Sequence, residues 1–453
     1  MAALFVWMNG ARVGEWSTSR HGTAIFRYDE EWALSKRARA LSLSLPITAN
    51  LEVRGPHVEH YFDNLLPDNP AIRRRIRTRF KAASADAFDL LTAIGRDCVG
   101  AVQLLPPDEQ PIGWDRIVTE SLTDDDVETI LRDVTAVTPL GRDEQEDFRI
   151  SITGAQEKTA LLNMAGKWYR PQHATPTTHI LKLPLGIIGG FRGDFSDSVE
   201  NEWLCSQFLH ELELPTAHSA IGNFGEQRAL IVTRFDRRWL GVDPAAVEKK
   251  SFKPSEGIWI ARLPQEDFCQ ATGRASTEKY EADGGPSIAE CLTLLGNSED
   301  PETYQTQFLL AQLTFWLLAA TDGHGKNFSL FHGIGGAYGM TPLYDVLSAW
   351  PIIGPGKDQL AIQKAKLAMA IRGKTAHYRL TEITARHWQS LAESSGLRQI
   401  WRQMQEMVVS AVPVFDRLET RLPAKFPERV YRTIRKGIQA QVLRFAQTRA
   451  DAG

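Results

Sequence analysis

The sequence predicts an α+β protein, β-rich in its N-terminal part and mostly helical in its C-terminal part. Three observations carry the prediction. Short apolar runs, alternating or continuous and separated by turn residues, recur up to about residue 240. From about residue 262 the apolar residues fall at three- and four-residue spacing, the mark of helices with one buried face. The composition, 43% hydrophobic and 24% charged over 453 residues, is that of a folded chain with a substantial core, about three structural units by length.

Residues 1–105 read as a β-rich subdomain. LFVWMNGARVGEW is two alternating runs about Asn9-Gly10, a hairpin signal. HGTAIFRY and ARALSLSLP look like further strands. HYFDNLLPD, the basic RRRIRTRFK and DAFDLLTAIG look helical. Residues 106–146 form a linker and a helix, Asp124–Val137, with Thr123 as N-cap and Asp124, Asp125 and Asp126 at the positive end of its dipole. Residues 147–260 return to strands (DFRISITGAQEKTALL, KWYR, HILKLP, ALIVTRFDRRW), with a helix at Ser198–Leu212 and a polar surface loop at 241–260. Residues 261–453 are helical: Ser287–Leu295, Tyr304–Ala320, Arg386–Glu393, Trp401–Thr420, which Pro413 should break or kink, and Pro427–Thr448.

Charge and cysteine usage exclude several classes. With 52 basic and 55 acidic side chains the formal charge is −3, so nucleic-acid contact requires a local patch or a partner. Cys98, Cys205, Cys269 and Cys291 form no C-x-x-C pair, which argues against zinc and dithiol chemistry. MAALFVWMNGARVGEW lacks the basic and long apolar regions of a signal peptide, and Phe308–Ala320 is too short to span a bilayer. A cytoplasmic protein is expected.

The chemistry concentrates in Thr321-Asp-Gly-His-Gly-Lys-Asn327. Phosphoryl transfer needs a carboxylate to orient a hydroxyl and accept its proton, and an oxygen ligand for Mg²⁺ close by. Asp322 and Asn327, five apart in a Gly-bearing loop after a helix, supply both. Tyr344-Asp345 follows, where a second metal ligand would fall. Lys182, amid apolar strand neighbours, demands an anionic partner such as ATP phosphates. Glu200 or, preferably, Glu202 on the next helix would pair with it. Ser151-Ile-Thr-Gly-Ala-Gln-Glu-Lys158 is a small-residue turn able to approach phosphates. Arg234-Phe235-Asp236-Arg237-Arg238 lies where an adenine-binding hinge would fall, and reads equally as a salt-bridge cluster. The order of these features is that of a two-lobed protein-kinase-like fold, with a β-rich N-lobe and a helical C-lobe.

The same residues resemble the HipA family, serine/threonine-kinase toxins of toxin–antitoxin modules. The similarity runs through YFDNLLPD, IGRDCVGAVQL, DFRISITGAQEKTALL, TPTTHILKLP, RFDRRW, RLPQEDFCQ, KYEADGGPSIA, ATDGHGKNFS and KLAMAI. It implies ATP and Mg²⁺, with Asp322 as general base and Asn327 and Asp345 on the metal. Thr153, Gly154, Ala155, Gln156, Glu157 and Lys158 would form the phosphate loop, and Lys182 would meet phosphates. Thr233, Arg234 and Phe235 would meet adenine, with His324, Gly325, Lys326 and Tyr344 completing the ATP site. Ser151 matches the family's autophosphorylated serine. The implied protein substrate is glutamyl-tRNA synthetase, and the implied partner a HipB-like helix-turn-helix antitoxin dimer on operator DNA. The region matching the family's DNA-contacting helix, Leu391–Arg398, carries Glu393 and Gly396, so operator contact is expected mainly through the antitoxin, which would bring the protein to the nucleoid. Two other readings remain open on the residues: a small-molecule kinase of aminoglycoside or lipid-kinase type, and a non-catalytic co-repressor.

Overall fold

The computed structural model describes residues 2–135, 156–188, 193–252 and 256–450. Two compact units emerge. The first comprises 1–183, 222–278 and 330–338, and the second 184–221, 279–329 and 339–453.

In the first unit, the N-terminal hairpin forms as its turn residues require. Ala3–Met8 pairs antiparallel with Ala11–Thr18 about Asn9 and Gly10, both at positive φ. The sheet grows on both sides to the order Glu52–Arg54, Ala24–Tyr28, Ala11–Thr18, Ala3–Met8, Val102–Leu105. Leu4, Val6, Trp16 and Phe26 pack from one face against Tyr61 and Phe62 of helix Pro56–Asp63 and Leu90 and Leu91 of Ala87–Ile94. Trp16 and Phe62 stack at 4.1 Å. The segment ARALSLSLP is no strand. It contributes one isolated bridge, Ser42–Leu45. Leu41 and Leu45 are buried, as alternation demands, but their backbone is held by a side chain: Leu41 N donates to the Tyr28 hydroxyl at 2.8 Å, and that hydroxyl donates to Leu45 O.

The same unit holds a second antiparallel sheet in which Gln227–Thr233, His179–Lys182, Lys158–Met164, Lys167–Pro171 and Thr119–Leu122 lie in that order. Leu161, Leu181 and Ala229 face Val127 and Leu131 of helix Asp124–Thr135. Its start is capped as expected: Asp126 N donates to Thr123 Oγ1 at 3.2 Å, and Thr123 N donates to Asp126 Oδ2 at 3.0 Å. The expected strand at 147–155 and the end of the helix beyond Thr135 lie outside the described residues. The polar segment 241–260, expected to be a loop, contains regular elements among its described residues. Asp243 caps a short helix, Pro244–Glu248, and Trp259–Arg262 is a strand paired with Arg237–Leu240.

The second unit is built of helices Ser198–Glu211, Ile288–Gly296, Pro301–Leu318, Ala385–Ser395, Ile400–Arg417 and Glu428–Ala450. Trp316 and Trp388 are fully buried among them. Pro413 does not break its helix. The carbonyl it deprives of a partner belongs to Val409, which is 75% exposed and open to water. None of the described helices is long and apolar enough to cross a membrane. None of the four cysteines is in a disulfide, and all are buried.

Candidate active site

The candidate catalytic loop, 321–327, sits at the end of Pro301–Leu318. That helix stops at Ala319, in the left-handed region at φ 50°, and Ala320 N returns to Phe315 O at 2.8 Å. Gly323 must be glycine: a Cβ there would lie 2.4 Å from the Phe315 ring. The loop then closes on itself. His324 N donates to Asp322 O at 2.8 Å, Asn327 N to His324 O at 2.9 Å, and Asn327 Nδ2 to Asp322 O at 2.7 Å. This last bond orients the Asn327 amide, and its oxygen accepts no hydrogen bond among the described residues. The Asp322 carboxylate is 57% exposed, while His324, Lys326 and Asn327 are buried.

Asp322 has a neighbour that sequence reading missed. The Tyr280 hydroxyl donates to Asp322 Oδ1, the oxygen that also lies 3.6 Å from His324 Nε2. The Tyr280 ring meets the His324 ring edge-on at 5.0 Å. The flanking backbone fixes it, since Gly325 N donates to Lys279 O at 3.1 Å, and Glu281 accepts from Ala370 N at 2.6 Å. Tyr280 lies in KYEADGGPSIA, but 42 positions from Asp322, so local pattern gave no hint of the contact.

Asp345 is presented beside this loop by its own neighbours. The Tyr344 hydroxyl donates to Lys326 O at 2.9 Å and shares a hydrogen bond with Ser329 Oγ at 2.5 Å. Leu343 is held on both sides, its N donating to Pro215 O and its O accepting from Ala217 N, each at 2.8 Å. Beyond Asp345, Ser348 exchanges two hydrogen bonds with Asn201 and donates from Oγ to Leu318 O at 2.6 Å. Asp345 itself stands at φ 60°, a left-handed conformation that costs a non-glycine residue about 1–2 kcal/mol. Such strain persists only where the surroundings impose it, and it clusters at functional positions.

In the first unit, Lys182 is buried, 5% exposed, in His179–Lys182. Register places Lys158 directly opposite it on the neighbouring strand. The register thus brings two of the lysines expected at the ATP site side by side. Leu183 N donates to Glu157 O at 3.1 Å, and Gln156 Nε2 to Leu183 O at 2.5 Å, anchoring the end of the candidate phosphate loop. Glu157 also pairs with Arg75. Ser151, Thr153, Gly154 and Ala155 lie outside the described residues. Glu200 and Glu202 are both buried on Ser198–Glu211, in the second unit.

The hinge candidates divide. Thr233 is exposed at its strand end, and Phe235 packs edge-on against Phe331 at 5.7 Å. The Arg234 side chain is taken up elsewhere, in the salt-bridge cluster that the motif equally suggested. Asp97 Oδ1 accepts from Arg237 at 2.9 Å and Arg262 Nε at 3.1 Å; Asp97 Oδ2 accepts from Thr177 Oγ1 at 2.7 Å and lies 3.4 Å from Arg234 Nη1. Asp236 pairs with both Arg234 and Arg237, at 2.7 and 2.9 Å, and accepts from Gly100 N at 2.8 Å. Burial alone would raise both carboxyls, but the three guanidinium groups prevail and hold Asp97 well below the usual carboxylate range. Burial, with Arg234 alongside, brings Arg237 down to about 10.

Family models match this chain along most of its length. The HipA-like C-terminal domain covers residues 150–414 and the HipA N-terminal domain residues 4–105. The chain belongs to the HipA family. The "Putative kinase Y4mE" of Sinorhizobium fredii is 32% identical over 400 residues, covering 87% of this chain and 86% of that protein. The serine/threonine-protein kinase toxin HipA of Shewanella oneidensis is 25% identical over 374 residues, covering 77% and 73%. The solved complex of Shewanella oneidensis HipA with HipB and operator DNA superposes on 98% of this chain and 97% of that one, with a TM-score of 0.76 at 21% identity. That likeness shows the HipA kinase-like fold, with helices and sheets mixed and a β-rich N-terminal region.

Proposed function

We propose that this HipA-family chain is an ATP-dependent serine/threonine-protein kinase acting as the toxin of a toxin–antitoxin pair. The observation that carries the reading is the Asp322–Asn327 loop joined to the Asp345 segment through Tyr344 and Lys326. In this reading Asp322 orients the substrate hydroxyl and takes its proton as that oxygen attacks the terminal phosphorus of ATP, while the bond from that phosphorus to the bridging oxygen breaks and ADP leaves with that oxygen. Lys158 and Lys182 hold the phosphates, with Glu202 as the lysine's partner, and Thr233 to Phe235 border the adenine. Asn327 and Asp345 offer an amide and a carboxylate oxygen, a donor set suited to Mg²⁺, which prefers one or two protein oxygens plus phosphates. When bound, Mg²⁺ would neutralise charge developing on the phosphates. The proposed division is 1–105, 106–146, 147–260 and 261–453, running from N-terminal subdomain through linker to N-lobe and C-lobe.

The proposed substrate is glutamyl-tRNA synthetase, in the cytoplasm. The proposed partner is a HipB-like antitoxin dimer that carries the toxin to operator DNA at the nucleoid. Ser151 would act as an internal switch. A phosphate there adds about two negative charges next to the phosphate loop and would repel ATP. Mass spectrometry after incubation with Mg-ATP tests the reading, comparing wild type with Asp322→Ala. Phosphate on Ser151 in wild type alone is expected. Phosphate in neither protein, with transfer to aminoglycoside or lipid acceptors instead, would replace the protein-kinase reading with a small-molecule one.

A further inference from the structure

Strand Val102–Leu105 forms one edge of the N-terminal sheet. Alternation turns Val102 and Leu104 into the core and leaves Gln103 and Leu105 on the other face. Gln103 is nonetheless only 1% exposed. Its Nε2 donates to Arg96 O at 3.0 Å, which fixes the orientation of the amide. Its Oε1 accepts no hydrogen bond among the described residues. Trp7, directly across in the register, does not supply one, and its own indole N–H finds no acceptor there either. A buried acceptor without a donor is destabilising, and each such group demands a reason. The reason here is a cavity of about 280 Å³ that Gln103 lines, bounded by the segment following the strand and by the turn at 173–174.

We propose that this cavity binds a small aliphatic amine as its ammonium ion. Arg96 and Glu109 both line it and pair with each other. Asp108 lines it too and forms no ion pair among the described residues. One guanidinium thus stands against two carboxylates and an amide oxygen without a donor, so the site is short of N–H groups and of positive charge. A primary ammonium brings both, with three N–H donors on one centre. Leu105, Pro111 and Ile112, the last 76% exposed, offer its stem an apolar wall. The volume lies at the lower end of small-ligand sites, about 300–1,000 Å³, which favours a ligand of a few carbons. An anion would meet the two carboxylates. A bare metal ion would find no group of three ligating side chains among the described residues. None of the lining residues belongs to the proposed ATP site, so the inference stands apart from the kinase reading.

The test is isothermal titration calorimetry of the full chain with putrescine and with butylammonium, against butyrate and butanol. The buffer is held at about pH 8, where ordinary imidazoles are neutral, with about 150 mM KCl to screen contacts to surface carboxylates. Both amines should bind saturably at one site per chain, and neither butyrate nor butanol should. Gln103→Leu should weaken amine binding by about ten- to a hundredfold, the worth of a hydrogen bond to a charged group. Asp108→Asn/Glu109→Gln changes two positions that solvent reaches and leaves Arg96 as the remaining charge among these groups. It should keep its circular dichroism spectrum, lose the amines and admit butyrate. If Gln103→Leu does not fold, this double variant decides alone. Absence of saturable amine binding, equal binding of butanol or butyrate by wild type, or amine affinity within about twofold of wild type in the double variant would overturn the inference.

Discussion

Asp97→Asn tests the buried charge cluster. The change keeps the shape of the side chain and removes one of two carboxylates facing Arg234, Arg237 and Arg262. All five residues are at most 8% exposed. Wild type sets three positive charges against two negative ones, whereas the variant leaves three against one, in a place water does not reach. Breaking a buried ion pair by removing one partner costs about 3–5 kcal/mol. For a unit of this size each kcal/mol lowers Tm by roughly 2–4 °C, so a fall of roughly 6–20 °C is expected in calorimetry. The cost should be specific to charge balance, so Arg237→Gln added to Asp97→Asn should recover part of the loss in a double-mutant cycle. The pH dependence follows the same logic. The Asp97 carboxyl is depressed in the folded state, so its contribution is fully present above about pH 4, the unfolded value. It is then lost as pH falls towards the folded value. Wild type should therefore lose more stability than Asp97→Asn between pH 4 and pH 2. A Tm drop of less than about 2 °C, or equal acid sensitivity in both proteins, would refute the reasoning.

Three further outcomes are expected. Tyr280→Phe should lower kcat for phosphotransfer by about ten- to a hundredfold, the worth of a hydrogen bond to a charged group. KM for ATP should stay unchanged; a KM effect with normal kcat would make Tyr280 merely structural. Lys158→Met should shrink the thermal shift produced by Mg-ATP, because it removes one of the two ammonium groups proposed to hold the phosphates. Gly100→Ala should cost about 1–3 kcal/mol in denaturant unfolding, because Gly100 stands at φ 72° and a Cβ would lie 2.8 Å from Gln265 O.

What the sequence made legible was local. The Asp322–Asn327 loop and the Ser198–Glu211 helix could be read because their signals lie within a few residues of one another. The Leu–Ser alternation at 41–45 misled because a strand and a segment pinned by Tyr28 bury the same residues. Pro413 misled because the sequence does not show that the carbonyl it orphans faces water. Long-range pairings were invisible. RFDRRW announced a salt-bridge cluster but not Asp97, 137 positions from Arg234, or Arg262, 165 positions from Asp97. The Lys158–Lys182 pairing depends on strand register, which no single strand reveals.

The two family models divide this chain as if it were two modules, at 4–105 and 150–414. The Asp97 cluster contradicts that division. The carboxylate belongs to the first stretch, and the guanidinium groups it neutralises belong to the second. A gene that lost its first hundred codons would not simply encode a smaller protein. It would encode a lobe with three arginines turned towards a missing counter-charge. Expression trials, evolutionary fusions and domain swaps that cut between the two stretches must carry Asp97 across the cut, or supply an acid in its place.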